Sequence, residues 1–470
     1  MTRKFAEGDA IDEFTLAEKL PSGGMASIWR ATKQGSDDAV ILKVPFLDPG
    51  HEASVIIGYE VERMISGRLS GPHVPKFHGF GDLADVPYIA MEFVEGESLE
   101  MLAQKAPLAP EQVRDLGLKI ATALVSLHAQ KVAHLDLKPA NIILAKRGAV
   151  FIDFGLAHHA ELPDLLGEES SMPMGTAAYI SPEQVLGERS DPASDIFSVG
   201  CILYQLATGQ EPFGSPQTTA GMRRRLFQTP DEISKFNPAF PRWLQQIIAN
   251  CMEVDRARRY GDAIQLVHDL RHPDQVKLRA AAQKVVPGNF LQRLFSRKPA
   301  PENTAAVSHA PDRSGPSIIV AAVYLSAGED ALAEAIRGET ARLLSARRDS
   351  RLACVTIWKT ELIGQQAETD REGNSVYVKH LVALKDWTRP LDLDESRLSY
   401  HVLEAVSPAD AILEFAARNH ASHIVMGARG SSAMRRHLGS VSTKVVAEAS
   451  CSVTVIRVKD GLDGEGGEHL

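Results

Sequence analysis

Through residues 13 to 44, apolar and polar positions alternate in short stretches around a glycine-rich turn, a pattern that predicts strands. Ile41 to Val44 is a compact apolar run interrupted by Lys43. Apolar residues from Glu52 to Arg68 recur at helical spacing, and Pro87 to Val94 reads as a further strand. From Pro110 the helical period dominates, over Gln112 to Gln130, Asp195 to Thr208, Trp243 to Met252 and Asp262 to Leu270. Strands first and helices later predict an α+β, two-lobed unit over residues 13–271, with a small lobe to about 94 and a larger helical lobe from 95.

Between 272 and 316 the periodicity weakens, and Pro273, Pro287, Pro299, Pro301, Pro311 and Pro316 punctuate it. This reads as a flexible linker, with one short helix over Gln275 to Lys284 and a basic amphipathic piece from Asn289 to Lys298. A random-coil tether of roughly 40 residues spans about 35 Å, so a second domain is expected to stay near the first without a fixed pose. Residues 317–460 then alternate again. Strands are predicted at Ser317 to Leu325, Leu352 to Trp358, Ser399 to Ala405, His423 to Met426 and Ser452 to Val458. Helices are predicted at Glu329 to Ser345, Ala409 to Asn419 and Ala433 to Glu448, and Thr360 to Arg397 carries no assignment. Strand and helix in turn predict an α/β doubly wound parallel sheet.

Composition narrows the function classes. The chain has 470 residues, 44% hydrophobic and 24% charged, as in ordinary globular domains. A formal net charge of -9 argues against a general nucleic-acid binder. Cys201, Cys251, Cys354 and Cys451 form no C-x-x-C pair, which disfavours a disulfide framework or zinc site. No stretch has a signal peptide's or membrane span's apolar length, so a cytoplasmic location is expected.

The chemistry concentrates in His134-Leu-Asp136-Leu-Lys138-Pro-Ala-Asn141, followed by Asp153-Phe154-Gly155. An acid, an amide five residues on and a second acid beyond suit a metal-nucleotide site. Asp136 can accept a hydroxyl proton, Asn141 and Asp153 offer the oxygen donors that Mg²⁺ prefers, and Lys138 can neutralise a phosphoryl group. The competing explanation is an ordinary turn rich in Asp and Asn, which the joint order and spacing oppose.

These residues resemble the eukaryotic-type serine/threonine protein kinases, including their bacterial members. The resemblance implies ATP and Mg²⁺ as cofactors and protein hydroxyls as substrates. It implies that Lys43, in VILKV, holds the α- and β-phosphates and that Glu62 is its ion-pair partner. Glu60 is the competing choice; Glu62 is preferred because Ile65 and Leu69 then fall at its +3 and +7 positions. Met91, Glu92 and Val94 match the adenine-binding hinge. Gly175-Thr176-Ala-Ala-Tyr179-Ile-Ser181-Pro182-Glu183 matches the end of an activation segment, with Thr176 facing the catalytic Asp and Lys. Glu183 is then expected to pair with Arg259, and Asp195 to hold the backbone of the catalytic loop; a plain helix-capping role is the bland alternative for Asp195 and is compatible with that hold.

Two departures stand out. The phosphate loop keeps Gly23 and Gly24 before Ile28, but Pro21 and Ala26 replace the outer glycines, which lowers the expected nucleotide affinity. Leu135 stands where most of these kinases carry an arginine that binds a phosphate on the activation segment. Ser170 and Ser171 are the candidate phosphate acceptors there.

Residues 317–460 resemble the universal stress protein family, most clearly from His423 to Val458. Gly427, Gly430, Gly439 and Ser440 form a candidate second nucleotide site, although eight residues separate Gly430 from Gly439 where ATP-binding members have nine. Val453 to Val458 is a candidate homodimer strand or, equally, a core strand. The reading is therefore a signalling serine/threonine protein kinase with a regulatory or nucleotide-sensing C-terminal domain. Its rivals are a pseudokinase scaffold that binds nucleotide without efficient transfer and a small-molecule phosphotransferase. The first is opposed by the intact Lys43, Asp136, Asn141 and Asp153, and the second by the activation segment ending in Ser-Pro-Glu.

Overall fold

Six strands open the chain: β1 (Ala10–Ile11), β2 (Phe14–Leu20), β3 (Ala26–Lys33), β4 (Ala39–Pro45), β5 (Phe77–Phe80) and β6 (Ile89–Glu92), with α1 (Glu52–Ser66) between β4 and β5. The structure is a computed structural model that describes residues 5–21, 24–36, 38–47, 52–278, 317–325, 330–360, 369, 375–428 and 439–458. The strands form one antiparallel sheet in the order β1-β2-β3-β4-β6-β5. Its period-two pattern buries Phe14 and Leu16, Trp29 and Ala31, and Val40 and Leu42 in one cluster.

The larger lobe follows, with β7 (Gly96–Ser98), α2 (Leu99–Ala103), α3 (Pro110–His128), β8 (Val132–Ala133), β9 (Ile142–Ala145), β10 (Gly148–Phe151) and β11 (His158–His159). Then come α4 (Leu165–Glu169), α5 (Pro182–Val185), α6 (Ala193–Thr208), α7 (Thr219–Met222), α8 (Arg242–Cys251) and α9 (Ala263–Arg271). Helix α6 is buried around nearly its whole circumference, as its almost continuous apolar sequence requires. It can pack so closely because Gly200 faces α8, where a Cβ would stand 2.6 Å from that of Cys251. Gly209, with φ of 73°, ends it in the left-handed conformation that glycine adopts without strain.

The second domain contains β12 (Ile318–Ala322), α10 (Asp330–Ala346), β13 (Arg351–Lys359), α11 (Val376–Thr388), β14 (Leu398–Ala405), α12 (Pro408–Arg418), β15 (His423–Gly427), α13 (Ser440–Glu448) and β16 (Ser452–Ile456). Its parallel sheet runs β14-β13-β12-β15-β16. One face packs Ile319, Leu352 and Cys354 under α10 and α11; the other packs Val320, Ala353, Val355 and Ile424 under α12 and α13. The fold class expected from the sequence, a two-lobed α+β unit followed by a doubly wound parallel sheet, is present. Helix α11 occupies the stretch left unassigned above. Ser375 caps it, and Tyr377, Leu381 and Leu384 supply one buried stripe. Of the proposed linker, residues 273–275 form a single 3-10 turn. Residues 279–316 lie outside the described residues, as does the piece from Asn289 to Lys298. No helix among the described residues is long and apolar enough to cross a membrane.

One expectation is corrected. The second domain has a defined seat on the first: Ile56 and Tyr59 of α1, with Leu83 and Ile89, share an apolar cluster with Tyr377, Leu381, Leu384 and Trp387. Charges frame it. Lys385 Nζ lies 2.8 Å from Glu60, and Arg63 pairs with Glu395 at 2.9 Å. A proline-marked linker permits free tethering but does not enforce it, and burial of apolar surface on α1 supplies the attachment.

Candidate active site

Lys43 stands on β4, whose neighbours β3 and β6 place Ile28 and Ile89 beside it in register. Its ammonium lies 2.6 Å from Glu62 of α1 and 2.6 Å from Asp153. Burial alone would lower the Lys43 pKa, but Glu62 and Asp153 outweigh it and raise it. Burial likewise pushes the Asp153 carboxyl up, and the Lys43 charge overcomes this to hold it at about 2. At Glu62 burial pushes the carboxyl up against the pull of Lys43. The 2.6 Å contact with the Lys43 ammonium opposes burial and the negative charge of the nearby Asp153, both of which raise the Glu62 carboxyl. The choice between the two glutamates is settled by position: Glu62 meets Lys43, whereas Glu60 points to Arg63 and Lys385.

The segment from His134 to Asn141 wraps around Asp136. The Asp136 carboxylate accepts from the Thr176 backbone N–H at 2.8 Å, the Thr176 hydroxyl at 2.7 Å and the Lys138 ammonium at 2.9 Å. Lys138 also donates to the Thr176 hydroxyl at 3.2 Å. Asn141 donates its amide to the Asp136 carbonyl at 3.0 Å and carboxylate at 3.3 Å, so the amide nitrogen is the atom turned to Asp136. Asp195 accepts from the backbone N–H groups of His134 and Leu135, each at 2.8 Å, and His128 Nε2 contacts it at 2.9 Å. Leu135 needs this support, because its φ of 62° is left-handed and carries a strain cost for a branched side chain. The cap of α6 is Pro192, so the Asp195 carboxylate serves the loop rather than the helix end. Glu183 and Arg259 make a bidentate buried pair at 2.6 and 3.1 Å.

Met91 and Glu92 end β6, and Phe93 N–H donates to the Ala39 carbonyl before Val94. The Glu92 N–H donates to the Lys76 carbonyl at 2.8 Å. The Glu92 side chain is engaged by Arg147 at 2.6 and 2.9 Å, which lowers its carboxyl pKa. Gly24 is exposed, and a Cβ there would meet nothing within 4 Å, so packing does not explain a glycine at that position. Gly23 lies outside the described residues.

In the second domain, Gly427 ends β15 and Gly439 caps α13, which starts at Ser440. Gly430 lies outside the described residues. A Cβ on Gly427 would fall 2.8 Å from Leu332, so close packing against α10 already explains that glycine.

Two residues escaped the sequence reading. Gln184 donates to the carbonyls of Leu135 at 2.7 Å and Met174 at 3.1 Å, which ties the activation segment to the catalytic loop. Its position directly after Ser-Pro-Glu was the available signal. Arg225 is buried, lies over the Phe213 ring and donates to the carbonyls of Ala177 and Ile180. It sits in an Arg-Arg-Arg run that reads as solvated surface, so no local signal marked it.

Residues 14–272 match the model of the protein kinase domain, more than half of the sequence, and the chain belongs to that family. Residues 317–457 match the universal stress protein family. Among similar proteins, the probable serine/threonine-protein kinase PknB of Corynebacterium glutamicum is 30% identical over 269 residues, covering 55% of this chain and 42% of its own length. Serine/threonine-protein kinase PrkC of Bacillus subtilis is 28% identical over 261 residues, covering 55% and 40%. Serine/threonine-protein kinase PknL of Mycobacterium bovis is 29% identical over 307 residues, covering 65% and 73%. The match thus spans about two-fifths of the length of the first two relatives. The solved structure of the Mycobacterium tuberculosis PknI kinase domain is 21% identical, with a TM-score of 0.46, covering 57% of this chain and all of that one.

Proposed function

We propose that this chain transfers the γ-phosphoryl group of ATP to serine or threonine hydroxyls of proteins. The observation that carries the reading is the bond set joining Asp136, Lys138 and Thr176, assembled while Lys43 and Glu62 are paired. The Thr176 hydroxyl at 2.7 Å occupies the position of an acceptor hydroxyl beside Asp136. A substrate Ser or Thr would be oriented there, with Asp136 accepting its proton and Lys138 neutralising the phosphoryl oxygens.

The residues fit Mg²⁺ and ATP. An ionised Asp153 and the amide oxygen of Asn141 are hard donors suited to Mg²⁺. Bound Mg·ATP would supply the phosphoryl group and the charge that offsets its oxygens. Lys43, oriented by Glu62, would hold the α- and β-phosphates. Gly23, Gly24 and Ile28 would cover them, and Met91, the Glu92 carbonyl and Val94 would hold the adenine. Incubation of the full chain with Mg·ATP and a serine peptide, read by mass spectrometry, tests this. Phosphoserine on the peptide supports it; nucleotide binding without product on peptide or chain would favour a scaffold instead.

The activation segment also yields a prediction. Leu135 is 1% exposed and carries no charge to receive a phosphate. The segment is instead anchored by Gln184, and by Arg189, which donates to the Leu156 carbonyl at 2.9 Å and to Asp164 at 3.1 Å. The Ser170→Ala, Ser171→Ala variant is therefore expected to keep its rate on an exogenous peptide within about threefold of wild type. A loss of about a hundredfold, on the scale of a phosphate's several charge-assisted bonds, would contradict this.

A further inference from the structure

Helix α4 lies within the activation segment, yet its C-terminal end is buried in the second domain. Glu168 is only 4% exposed. Its carboxylate accepts from the Ser399 hydroxyl at 2.8 Å and from His401 Nε2 at 2.8 Å, and forms an ion pair with Arg351 at 2.7 Å. The next carboxylate, Glu169, takes the other ring nitrogen of His401 at 2.9 Å. Two backbone carbonyls are held as well: Arg418 donates to that of Glu169 at 2.7 Å, and Asn419 to that of Glu168 at 3.1 Å.

The two ring nitrogens of His401 face two acceptor carboxylates, so both carry protons and the ring is an imidazolium. Two positive side chains, Arg351 and His401, thus converge on consecutive acids, while Arg418, itself paired with Glu414, holds the Glu169 carbonyl. Glu168 Oε2 takes both hydrogen bonds, whereas the buried Oε1 has the Arg351 ion pair but no hydrogen bond, so the capture rests on opposite charge as well as on bond geometry. It also sits on an edge: β14, which carries Ser399 and His401, is the terminal strand of the second sheet.

The same domain grips α1 through Glu60, Arg63, Ile56 and Tyr59, on the helix that carries Glu62. It therefore touches the two elements whose positions set the transfer site. Both are in the assembled arrangement, with Lys43 on Glu62 and Thr176 on Asp136.

We propose that the C-terminal domain is the receptor for the chain's own activation segment: Arg351, Ser399, His401, Arg418 and Asn419 capture the diacid Glu168-Glu169 and hold the segment and α1 in the transfer-competent arrangement. The pair of carboxylates takes the part that a phosphate and its arginine play where the catalytic loop has a cation, which Leu135 here is not. This rests on the kinase activity proposed above. The five receptor residues are positioning residues, since none approaches Asp136 or Lys43.

The capture has a defined pH range. The groups facing His401 are Glu168 and Glu169, with the Phe415 ring beside it; Arg351 and Arg418 complete the surrounding charge. Burial lowers the His401 pKa, and the two carboxylates outweigh it to raise it from 6.5 to about 9. The capture is thus at full strength between the ordinary carboxylate and histidine values; it weakens as pH rises through about 9, and also as pH falls through about 2, to which His401 and Arg351 lower the Glu168 carboxyl against its burial.

The test uses the full chain and the Glu168→Gln variant, which keeps the shape and removes the charge. Removing one partner of a buried charged cluster is expected to lower kcat on a serine peptide by at least about tenfold, with KM for ATP within about twofold. Amide exchange over residues 165–176 is expected to rise by at least about tenfold while that of α6 stays unchanged. The Glu168→Gln, Arg351→Met double variant is expected to lose no more than the single, because the two act as a unit. A kcat within about twofold of wild type together with unaltered exchange overturns the proposal. If Glu168→Gln loosens α6 as well, Arg418→Ala decides, since it removes the bond to the Glu169 carbonyl and otherwise only the Glu414 pair within α12; unchanged exchange over 165–176 then overturns the proposal and raised exchange supports it. If the wild-type chain transfers no phosphate, the kinase reading fails, and the exchange measurements alone decide whether the segment is captured.

Discussion

Asp136→Asn is expected to lower phosphoryl transfer by about 10²–10⁴-fold, the usual contribution of a positioned general base. The substitution keeps the shape of the side chain but removes the charge that gathers the Thr176 N–H, the Thr176 hydroxyl and the Lys138 ammonium. An amide offers one acceptor oxygen to three donors and turns an N–H₂ toward one of them. Lys43→Ala is expected to be comparably severe by a different route, since it removes the partner of both Glu62 and Asp153. Single-turnover transfer to a serine peptide, with thermal melting to show that each variant is folded, checks both. Near wild-type transfer by either folded variant would sink the assignment of that residue.

Arg259→Ala is expected to destabilise the kinase domain by about 3–5 kcal/mol, because it strands a buried carboxylate. The Arg259 side chain is fully buried. It makes the two bonds to Glu183, donates to the carbonyls of Ala193 at 2.7 Å and Glu253 at 3.1 Å, and lies over the Phe197 ring. A loss of this size lowers the melting temperature of a domain this large by on the order of 10 °C, which calorimetry reads directly. A shift of only about 1 °C would show that the pair carries little stability. Burial pushes the Glu183 carboxyl up, and Arg259 outweighs it and lowers it below the ordinary 4.5. The stability from this pair is therefore present above that value and lost as pH falls through the lowered one, which makes the wild type the more acid-sensitive of the two proteins.

Where chemistry depends on short spacing, the sequence was legible. Asp136, Lys138 and Asn141 converge because one loop carries them all, and Asp195 meets that loop because an apolar helix places it underneath. The order of elements was legible for the same reason, since a period of two or 3.6 is written in neighbouring residues. The helix α11 was missed because its buried stripe of Tyr377, Leu381, Leu384 and Trp387 is interleaved with Val376, Val378 and Val382, which blurs its period. Arg225 was missed because a charge run reads as surface, whereas its guanidinium finds backbone carbonyls that only the folded activation segment presents.

Residue order alone therefore pointed to two units, their fold classes and the residues proposed for phosphoryl transfer. It left Glu60 and Glu62 to be chosen by stripe, and it described the second domain as a free tether. Tertiary structure decided the use of both glutamates, with Glu62 turned to Lys43 and Glu60 to Lys385. It also decided where the second domain sits. The physical reason is that local pattern reports which face of an element is apolar but not what covers it. The contact between Glu168 and His401 joins residues 233 positions apart, and its strength comes from burial that neither segment has alone.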